Sequence, residues 1–568
     1  MRKFLLFFVF ILTLFSACKS KKVALSELPK PVETAVLDTV NTDSLISAAI
    51  KFYVLNLDSE NYVIDGHFVF SSHYLPKVYD SLDYSILWTD ELNREEVIGV
   101  LSDSWQHGLL PADYGVKELK QFQASFDSLN VPEKAEFDIL LTDGVLLYSY
   151  HLLRGKLDPK TLSPTWNFSK RHLPDNIVKA LLSAIDKHSV KEKLINLEPK
   201  ENGYGVLKME LERYSQLVVN GGWNTVHFSE TLHPDQSHSE IPQLRKRLKT
   251  EGYLSLNDTA SGLIYDTELV NGIKDFQRIH GLSSDGILGN ATVRMLNFSA
   301  EDKLKQIVTN LERIKWVSYD GQKPYIKVNI ASFRMQYYEE DQVVYASNVV
   351  VGKVQKKTPV FQDKLELIVL NPTWTLPFSI TSTETLRKLK KDSMYLQKHN
   401  MVLITSAGRV VSDSGIDWNK YEEGHFPYMV RQQPGPDNAL GQVKFLFPNK
   451  YAIYLHDTPS KYLFSREERA FSHGCIRLQN PLNFANFLLN KQDTAWSMDS
   501  IHAIIETRKI TNIRLKNKIP IYILYQTAGA TEQNEVFFYH DIYGRDEKVY
   551  RKLMNLETVE EKENSRVE

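Results

Sequence analysis

The spacing of the hydrophobic residues changes near residue 320. Between residues 46 and 235, apolar side chains recur every three or four positions, as on one face of a helix. From Tyr325 onward they alternate with polar residues, which is the period of a half-buried strand. We therefore predict a multi-domain α+β protein, helical in its first part and mostly β, sandwich-like and mixed, in its last part.

The hydrophobic pattern, together with clusters of Gly, Pro and charged residues, divides the chain into consecutive segments. These are a signal peptide (1–17), a tether (18–45), a helical domain (46–235), a small three-helix module (236–298), a connecting helix (299–320), a β domain (321–530) with an insertion at 379–440, and a C-terminal hairpin with an acidic tail (531–568). With 568 residues, 42% of them hydrophobic, the chain is long enough to build several cores.

The N-terminal residues predict export and a lipid anchor. Residues 1–17 combine two early positive charges, an apolar run and small residues, as in a secretory signal peptide. The segment from Phe15 to Cys18 resembles a lipobox, which predicts cleavage before Cys18 and lipid on its thiol. An ordinary signal peptide with an unmodified Cys18 stays open as the alternative. A lipidated Cys18 implies a periplasm-facing lipoprotein, and the absence of an acidic residue at Lys19 favours the outer membrane over the inner one.

The chain has two cysteines, Cys18 and Cys475. If Cys18 carries lipid, Cys475 has no partner for an internal disulfide, which suits a catalytic thiol in an oxidising compartment. The formal net charge is −2 and there is no long basic block, so nucleic acid is not expected as a partner.

Cys475 follows a candidate base in the sequence. We predict a strand from Lys450 to His456, followed by a loop that returns to Gly474 and Cys475. A thiol nucleophile needs a base and an oxyanion donor, here His456 and the backbone N–H groups of Gly474 and Cys475. His473 lies two residues from the thiol and could share the role of the base. The alternative is an inert buried thiol beside a core histidine.

His456 followed by residues 472–477 (SHGCIR) resembles the active-site signature of L,D-transpeptidases, the cysteine enzymes that cross-link bacterial peptidoglycan. Four further stretches agree with the large multi-domain branch of this family, at residues 349–353, 357–361, 371–374 and 433–441. The resemblance implies that Cys475 is the nucleophile, that His456 is the general base and acid, and that the backbone carbonyl of Asp457 orients His456.

The same resemblance gives roles to the other segments. The helical domain resembles the family's scaffold domain. The module carries Phe276-Gln277, His280-Gly281-Leu282 and Asp285-Gly286, which look like a peptidoglycan-binding module that either binds glycan or serves only as structure. The insertion at 379–440 is expected to be a capping subdomain, acting as a lid, as a small core of its own, or as both.

The implied activity is peptidoglycan transpeptidation that releases D-Ala and forms 3→3 cross-links between stem peptides. Arg477, Ser472 and His473 are candidate substrate-binding residues, and Arg477 could instead anchor its loop. No cofactor or metal is predicted, because the ligand spacing typical of catalytic zinc is missing around these residues. Three alternatives stay open: an L,D-carboxypeptidase, an enzyme that attaches protein to the wall, and a non-catalytic wall-binding lipoprotein.

Overall fold

The computed structural model describes residues 41–57, 63–64, 67–172, 176–319, 324–492 and 495–557. The predictions about the signal peptide and Cys18 lie outside these ranges, as do those about most of the tether and the acidic tail. In the part of the chain that is described, no helix combines the length and the hydropathy needed to cross a membrane.

Residues 42–219 form the helical domain. Its described helices are α1 (Thr42–Leu55), α2 (Leu75–Asp80), α3 (Glu91–Ser102), α4 (Val116–Ala124), α5 (Val131–Arg154), α6 (Pro159–Leu162), α7 (Ile177–Asp186), α8 (Val190–Ile195) and α9 (Asn202–Val219). A short antiparallel pair, β1 (Val63–Ile64) and β2 (His67–Phe68), lies between α1 and α2.

The central helix of this domain is α5, which is buried along most of its length. It begins at a capping box: the side chain of Asn130 accepts from the Glu133 N–H at 3.0 Å, and the Glu133 carboxylate accepts from the Asn130 N–H at 2.8 Å. It ends before Gly155, which has a φ of +84° and packs so closely on Glu312 that a Cβ would overlap that carboxylate. The end of α5 is therefore fixed against the connecting helix.

The next residues form the predicted three-helix module and the predicted connecting helix. They are α10 (Ile241–Glu251), α11 (Thr267–Ile279), α12 (Asn290–Leu296) and α13 (Ala300–Lys315). The connecting helix α13 is shorter than the predicted 299–320. Its apolar residues Ile307, Leu311 and Ile314 pack into the core of the helical domain.

The β domain is built on one mixed sheet. Its strands are β3 (Tyr325–Asn329), β4 (Arg334–Glu339), β5 (Gln342–Gly352), β6 (Phe361–Leu370), β11 (Val443–Leu446), β12 (Leu455–His456), β13 (Ala470–Ser472), β14 (Ile476–Leu478) and β15 (Thr511–Leu524), in the spatial order β13-β5-β14-β12-β11-β6-β15-β3-β4. Because β4 also pairs with β5, the sheet closes on itself around a buried apolar interior. The predicted fold class is confirmed.

Three helices and a hairpin complete this part of the chain. They are α16 (Pro481–Gln492), α17 (Met498–Glu506), α18 (Asp546–Leu553) and the antiparallel pair of β16 (Ala528–Ala530) and β17 (Val536–Phe538).

The insertion forms a second sheet with a small core. Its elements are β7 (Trp374–Thr375), α14 (Leu386–Lys391), α15 (Tyr395–Lys398), β8 (Met401–Ile404), β9 (Val410–Val411) and β10 (Met429–Gln432), with the strand order β7-β10-β8-β9. Leu386, Leu403, Trp418 and Phe426 are buried together there. The aromatic residues of the insertion therefore do pack a core of its own.

The prediction of a strand from Lys450 to His456 is wrong for most of its length, since only Leu455 and His456 are in a strand. The side chain of Asn449 accepts from the N–H groups of Tyr451 and Ile453, each at 3.1 Å. Such a side-chain acceptor allows the backbone to form a turn instead of the hydrogen bonds of a β-strand. Ala452 accordingly has a φ of +53°.

The module is joined to α13 through buried charges. The carboxylate of Glu251 lies 2.7 Å from Arg247, also contacts Lys303 of α13, and accepts from the Tyr214 hydroxyl at 2.5 Å. Burial alone would raise the pKa of Glu251, but Arg247 and Lys303 outweigh it and hold that pKa below its ordinary value. The side chains of all three charged residues are fully buried.

The motif face of the module is covered in part, at His280 and Gly281, by the hairpin β16–β17 and the residue that follows it. His280 is buried 3.0 Å from Lys303 Nζ, and a Cβ at Gly281 would press into the ring of Tyr539. Arg278 forms two hydrogen bonds with the carboxylate of Glu535, at 2.5 and 2.9 Å. This part of the face is thus occupied by the chain itself.

Replacing Glu251 with glutamine should strongly destabilise the protein. Glu251→Gln would leave Arg247 and Lys303 buried without a counter-charge, which costs about 3–5 kcal/mol when one partner of a buried pair is removed. Urea denaturation should show this loss, and Glu268→Gln on the exposed face of α11 should change the midpoint little. Equal midpoints for the two variants would contradict this account of the joint.

Candidate active site

Cys475 lies in a tight turn between β13 and β14. The hydroxyl of Ser472 donates to the Cys475 carbonyl at 2.5 Å and accepts from the Gly474 N–H at 3.0 Å. Gly474 has a φ of +122°, a conformation that favours glycine. The hydroxyl of Thr358 donates to the Gly474 carbonyl at 2.8 Å. The turn that carries the thiol is therefore held by hydrogen bonds within it, to Ser472, and by one from outside it, from Thr358.

Parallel pairing of β12 with β14 brings His456 to the same region. Leu455 pairs with Ile476 and His456 pairs with Arg477, while the Ile476 N–H donates to the carbonyl of Tyr454 at 3.1 Å. Cys475 thus lies beside Tyr454, and His456 is the next residue on the same side of that segment.

His456 is buried and oriented by its own backbone neighbour. Its Nδ1 is hydrogen-bonded to the carbonyl oxygen of Asp457, which fixes Nδ1 as the donor and leaves Nε2 as an acceptor. Burial, with a further contribution from the Arg477 charge, lowers the pKa of His456 to about 3. The resting imidazole is therefore neutral.

The thiol of Cys475 is also neutral at rest. Burial raises its pKa, while hydrogen bonds from the backbone and side chain of Tyr454 and the charge of Arg477 lower it in part. The Sγ atom lies 3.5 Å from the carbonyl oxygen of Ala452. A neutral thiol beside a neutral imidazole suits a reaction in which the base removes the proton as the sulfur attacks.

The backbone of Asp457 is itself fixed. Its carboxylate accepts from the Gln442 N–H at 2.9 Å and from the Thr458 N–H at 2.7 Å, and it contacts Lys461. Gly441 lies so close that any Cβ there would overlap this carboxylate. These contacts hold the carbonyl that orients His456.

Arg477 carries a half-buried guanidinium next to this pair. Among the described residues it has no ion-pair partner, and its Nε makes no hydrogen bond. An unpaired guanidinium in a site of low polarity is well suited to bind a carboxylate.

Family models match three parts of the chain. Residues 323–503 match the L,D-transpeptidase catalytic domain, residues 73–211 match the scaffold domain, and residues 237–296 match the "Putative peptidoglycan binding domain". Residues 323–503 therefore form an L,D-transpeptidase catalytic domain. The resemblance read from the sequence is thereby confirmed.

A protein of Haemophilus influenzae named "Putative L,D-transpeptidase" is 33% identical over 296 residues, which make up 51% of this chain and 58% of the relative. The alignment therefore spans less than two thirds of that relative. Crystal structures of L,D-transpeptidases from Xylanimonas cellulosilytica and Stackebrandtia nassauensis are 12% and 13% identical. They cover 52% of this chain in each case and 99% and 97% of their own chains, with TM-scores of 0.17 and 0.19. Scores this low carry no argument about the fold.

The structure brings some of the predicted site residues of this L,D-transpeptidase domain together and gives Ser472 a structural role. Cys475, His456 and Arg477 come together, and the Asp457 carbonyl contacts His456. Ser472 was predicted to bind substrate, but its hydroxyl is buried and holds the turn, so this prediction is corrected.

Gly474 and His473 each make a contact that their predicted roles did not include. The Gly474 N–H already donates to Ser472, so a role as oxyanion donor would require that bond to break. The Cys475 N–H has no acceptor among the described residues and is the better candidate. His473 Nε2 lies 3.2 Å from the carboxylate of Glu384, which links the catalytic turn to the insertion.

Two functional candidates were missed in the sequence. Tyr454 acts on the Cys475 thiol, whose pKa its side chain lowers, and its ring packs against the His456 ring, with centroids 5.6 Å apart. Trp374 in turn acts on the Tyr454 hydroxyl, whose pKa it lowers in part against the effect of burial. The two-residue spacing of Tyr454 from His456 could have indicated Tyr454 as a site residue. The position of Trp374, in contrast, depends on how the insertion folds.

Removing the Tyr454 hydroxyl should make the thiol less reactive. Tyr454→Phe takes away a donor to the thiolate, so the pKa of Cys475 should rise. A hydrogen bond to a charged group is worth about 1.5–3 kcal/mol, so alkylation by iodoacetamide at neutral pH should slow about tenfold. The rate is measured against pH in a Cys18→Ser background. An unchanged profile would rule out this contact as a source of thiolate stabilisation.

His456 should stay neutral across the ordinary pH range, since its pKa lies at about 3. NMR titration of ring-labelled histidine, assigned with His456→Ala, should show no transition of this ring between pH 5 and pH 8. Arg477→Gln removes a nearby positive charge and should move the transition to higher pH, whereas Arg466→Gln on the exposed loop should not. A wild-type transition near the ordinary histidine pKa of about 6.5 would contradict this assignment.

Proposed function

We propose that the protein is a peptidoglycan L,D-transpeptidase that works through a cysteine acyl-enzyme and forms 3→3 cross-links. The observation that carries this proposal is the parallel pairing of β12 with β14, which sets His456 beside Cys475 in a domain of the L,D-transpeptidase family. The neutral charge state of both groups supports the same chemistry.

In the first half of the reaction, Cys475 Sγ attacks the carbonyl carbon that joins residues three and four of a tetrapeptide stem. His456 Nε2 takes the thiol proton as the carbon–sulfur bond forms. The Cys475 N–H donates to the oxyanion. When the intermediate collapses, the carbon–nitrogen bond breaks, and His456 returns the proton to the amine of D-Ala, which leaves.

In the second half, the side-chain amine of another stem attacks the thioester carbonyl. This amine loses a proton to His456 as the new amide forms, and the Cys475 sulfur leaves and recovers its proton from His456. The result is a 3→3 cross-link, with the enzyme restored to its neutral resting state.

The donor stem would be bound through its carboxylate and its apolar atoms. The unpaired guanidinium of Arg477 offers a bidentate partner for a stem carboxylate. Phe471 and Tyr462 are exposed aromatic residues next to the turn and to Arg477 respectively, and they can cover the aliphatic part of the stem. The contact between His473 and Glu384 would hold the insertion over this cleft and limit the access of water, which favours an amine acceptor.

We also propose that lipid on Cys18 anchors the protein to a membrane, facing the periplasm, with the outer membrane favoured. The signal sequence and lipobox-like residues support this location. The peptidoglycan-binding-like module supports the wall as the partner, although part of its motif face, at His280 and Gly281, is covered by the chain itself.

Incubation with a disaccharide-tetrapeptide tests the proposed reaction. Wild type should release D-Ala and form cross-linked dimers, Cys475→Ala should form neither, and Cys18→Ser should behave as wild type because it leaves the site intact. Product masses distinguish the outcomes. Tripeptide without dimers would instead establish an L,D-carboxypeptidase. No product, with binding to sacculi retained, would leave only a wall-binding lipoprotein.

A further inference from the structure

A cavity of about 460 Å³, whose lining does not include Cys475, lies where the helical domain meets the β domain. One wall is α6 and the segment after it, including Leu162 and Trp166, and another is the end of α13 at Trp316. The remaining walls are residues 357–360, the end of β15 and the start of α18. Its volume is that of a small-molecule site.

The lining of this cavity is apolar and its charged residues all have one sign. Val360, Leu524 and Val549 are buried apolar residues of the wall. The charged lining residues are Arg313, Lys357, Arg545 and Lys548, and none of the lining residues is acidic.

Three of these cations have no carboxylate partner. Arg313 is neutralised by Asp546, 2.6 Å away. In the described part of the chain, Lys357, Arg545 and Lys548 make no ion pair. Lys357 donates to a backbone carbonyl at 2.8 Å, and the Arg545 guanidinium stacks over the Tyr525 ring at 4.9 Å. Arg545 also donates to the Thr358 carbonyl at 3.4 Å, and Asp541 acts on it electrostatically without forming an ion pair. The lining therefore combines apolar surface with an excess of positive charge.

We propose that this cavity binds an amphiphilic carboxylate, with the apolar body between Leu162, Trp166 and Val549 and the carboxylate at Arg545 and Lys548. A fatty acid is the simplest molecule of this class. Burial of an alkyl chain contributes roughly 0.8 kcal/mol per CH₂, and a carboxylate supplies the missing counter-charge. Neither a neutral nor a cationic amphiphile would both bury an alkyl chain and supply a negative charge.

The site is separate from the substrate cleft but shares a wall with it. Thr358 lies between two lining residues, Lys357 and Pro359. Its hydroxyl donates to the Gly474 carbonyl, and its N–H donates to the Tyr543 hydroxyl at 3.1 Å. A ligand in the cavity would therefore lie one residue away from a contact that holds the turn of Cys475.

Calorimetric titration of the full chain with decanoate, decyl maltoside and decyltrimethylammonium, each below its micelle concentration, tests the proposal. Only decanoate should bind, with one site per chain. Cys475→Ala should bind decanoate as wild type does, so the result does not depend on the proposed reaction. Equal binding of the three amphiphiles, or no binding of decanoate, would overturn the proposal.

Two variants locate the site. Lys548→Glu reverses an exposed charge at the rim and should weaken decanoate binding about fivefold, whereas Lys552→Glu, one turn further along α18 and outside the lining, should not. Leu162→Trp should fill the chamber and abolish binding. Decanoate affinity that is unchanged in Lys548→Glu would place the ligand elsewhere and refute the assignment, even if Leu162→Trp does not fold.

Discussion

The catalytic arrangement depends on one pairing, that of β12 with β14 in parallel register. It joins two short segments about twenty residues apart in sequence and sets His456 next to the turn of Cys475. Because the register of a strand decides which side chains share a face, a slip of one residue would point His456 away from the thiol. The surrounding strands β5 and β11 hold this pair on both sides.

The rest of the site keeps this pair neutral and rigid. Ser472 and Thr358 fix the turn, and Gly441 leaves room for the Asp457 carboxylate, whose contacts fix the carbonyl bonded to His456. Burial disfavours charge on both the thiol and the imidazole, and Arg477 opposes protonation of His456. In the proposed reaction, charge is therefore created only when the proton moves, in surroundings where fixed dipoles act strongly.

The sequence was sufficient for the fold class and for recognising the L,D-transpeptidase catalytic domain, because periodicity and the SHGC motif are local signals. It was insufficient where distant segments meet. The turn at Asn449 replaced most of a predicted strand, and the Gly474 N–H proved to be engaged with Ser472. The contact of His473 with Glu384 joins residues 89 positions apart and arises only from folding, so no spacing rule could have supplied it.

The central claim is that Cys475 becomes acylated by the donor stem. Mass spectrometry of the intact protein, quenched in acid soon after mixing with a disaccharide-tetrapeptide, tests it directly. The account predicts a covalent adduct with the mass of the donor minus D-Ala, located by digestion on the peptide that contains Cys475. Product formation without such an adduct, or an adduct on another residue, would contradict it.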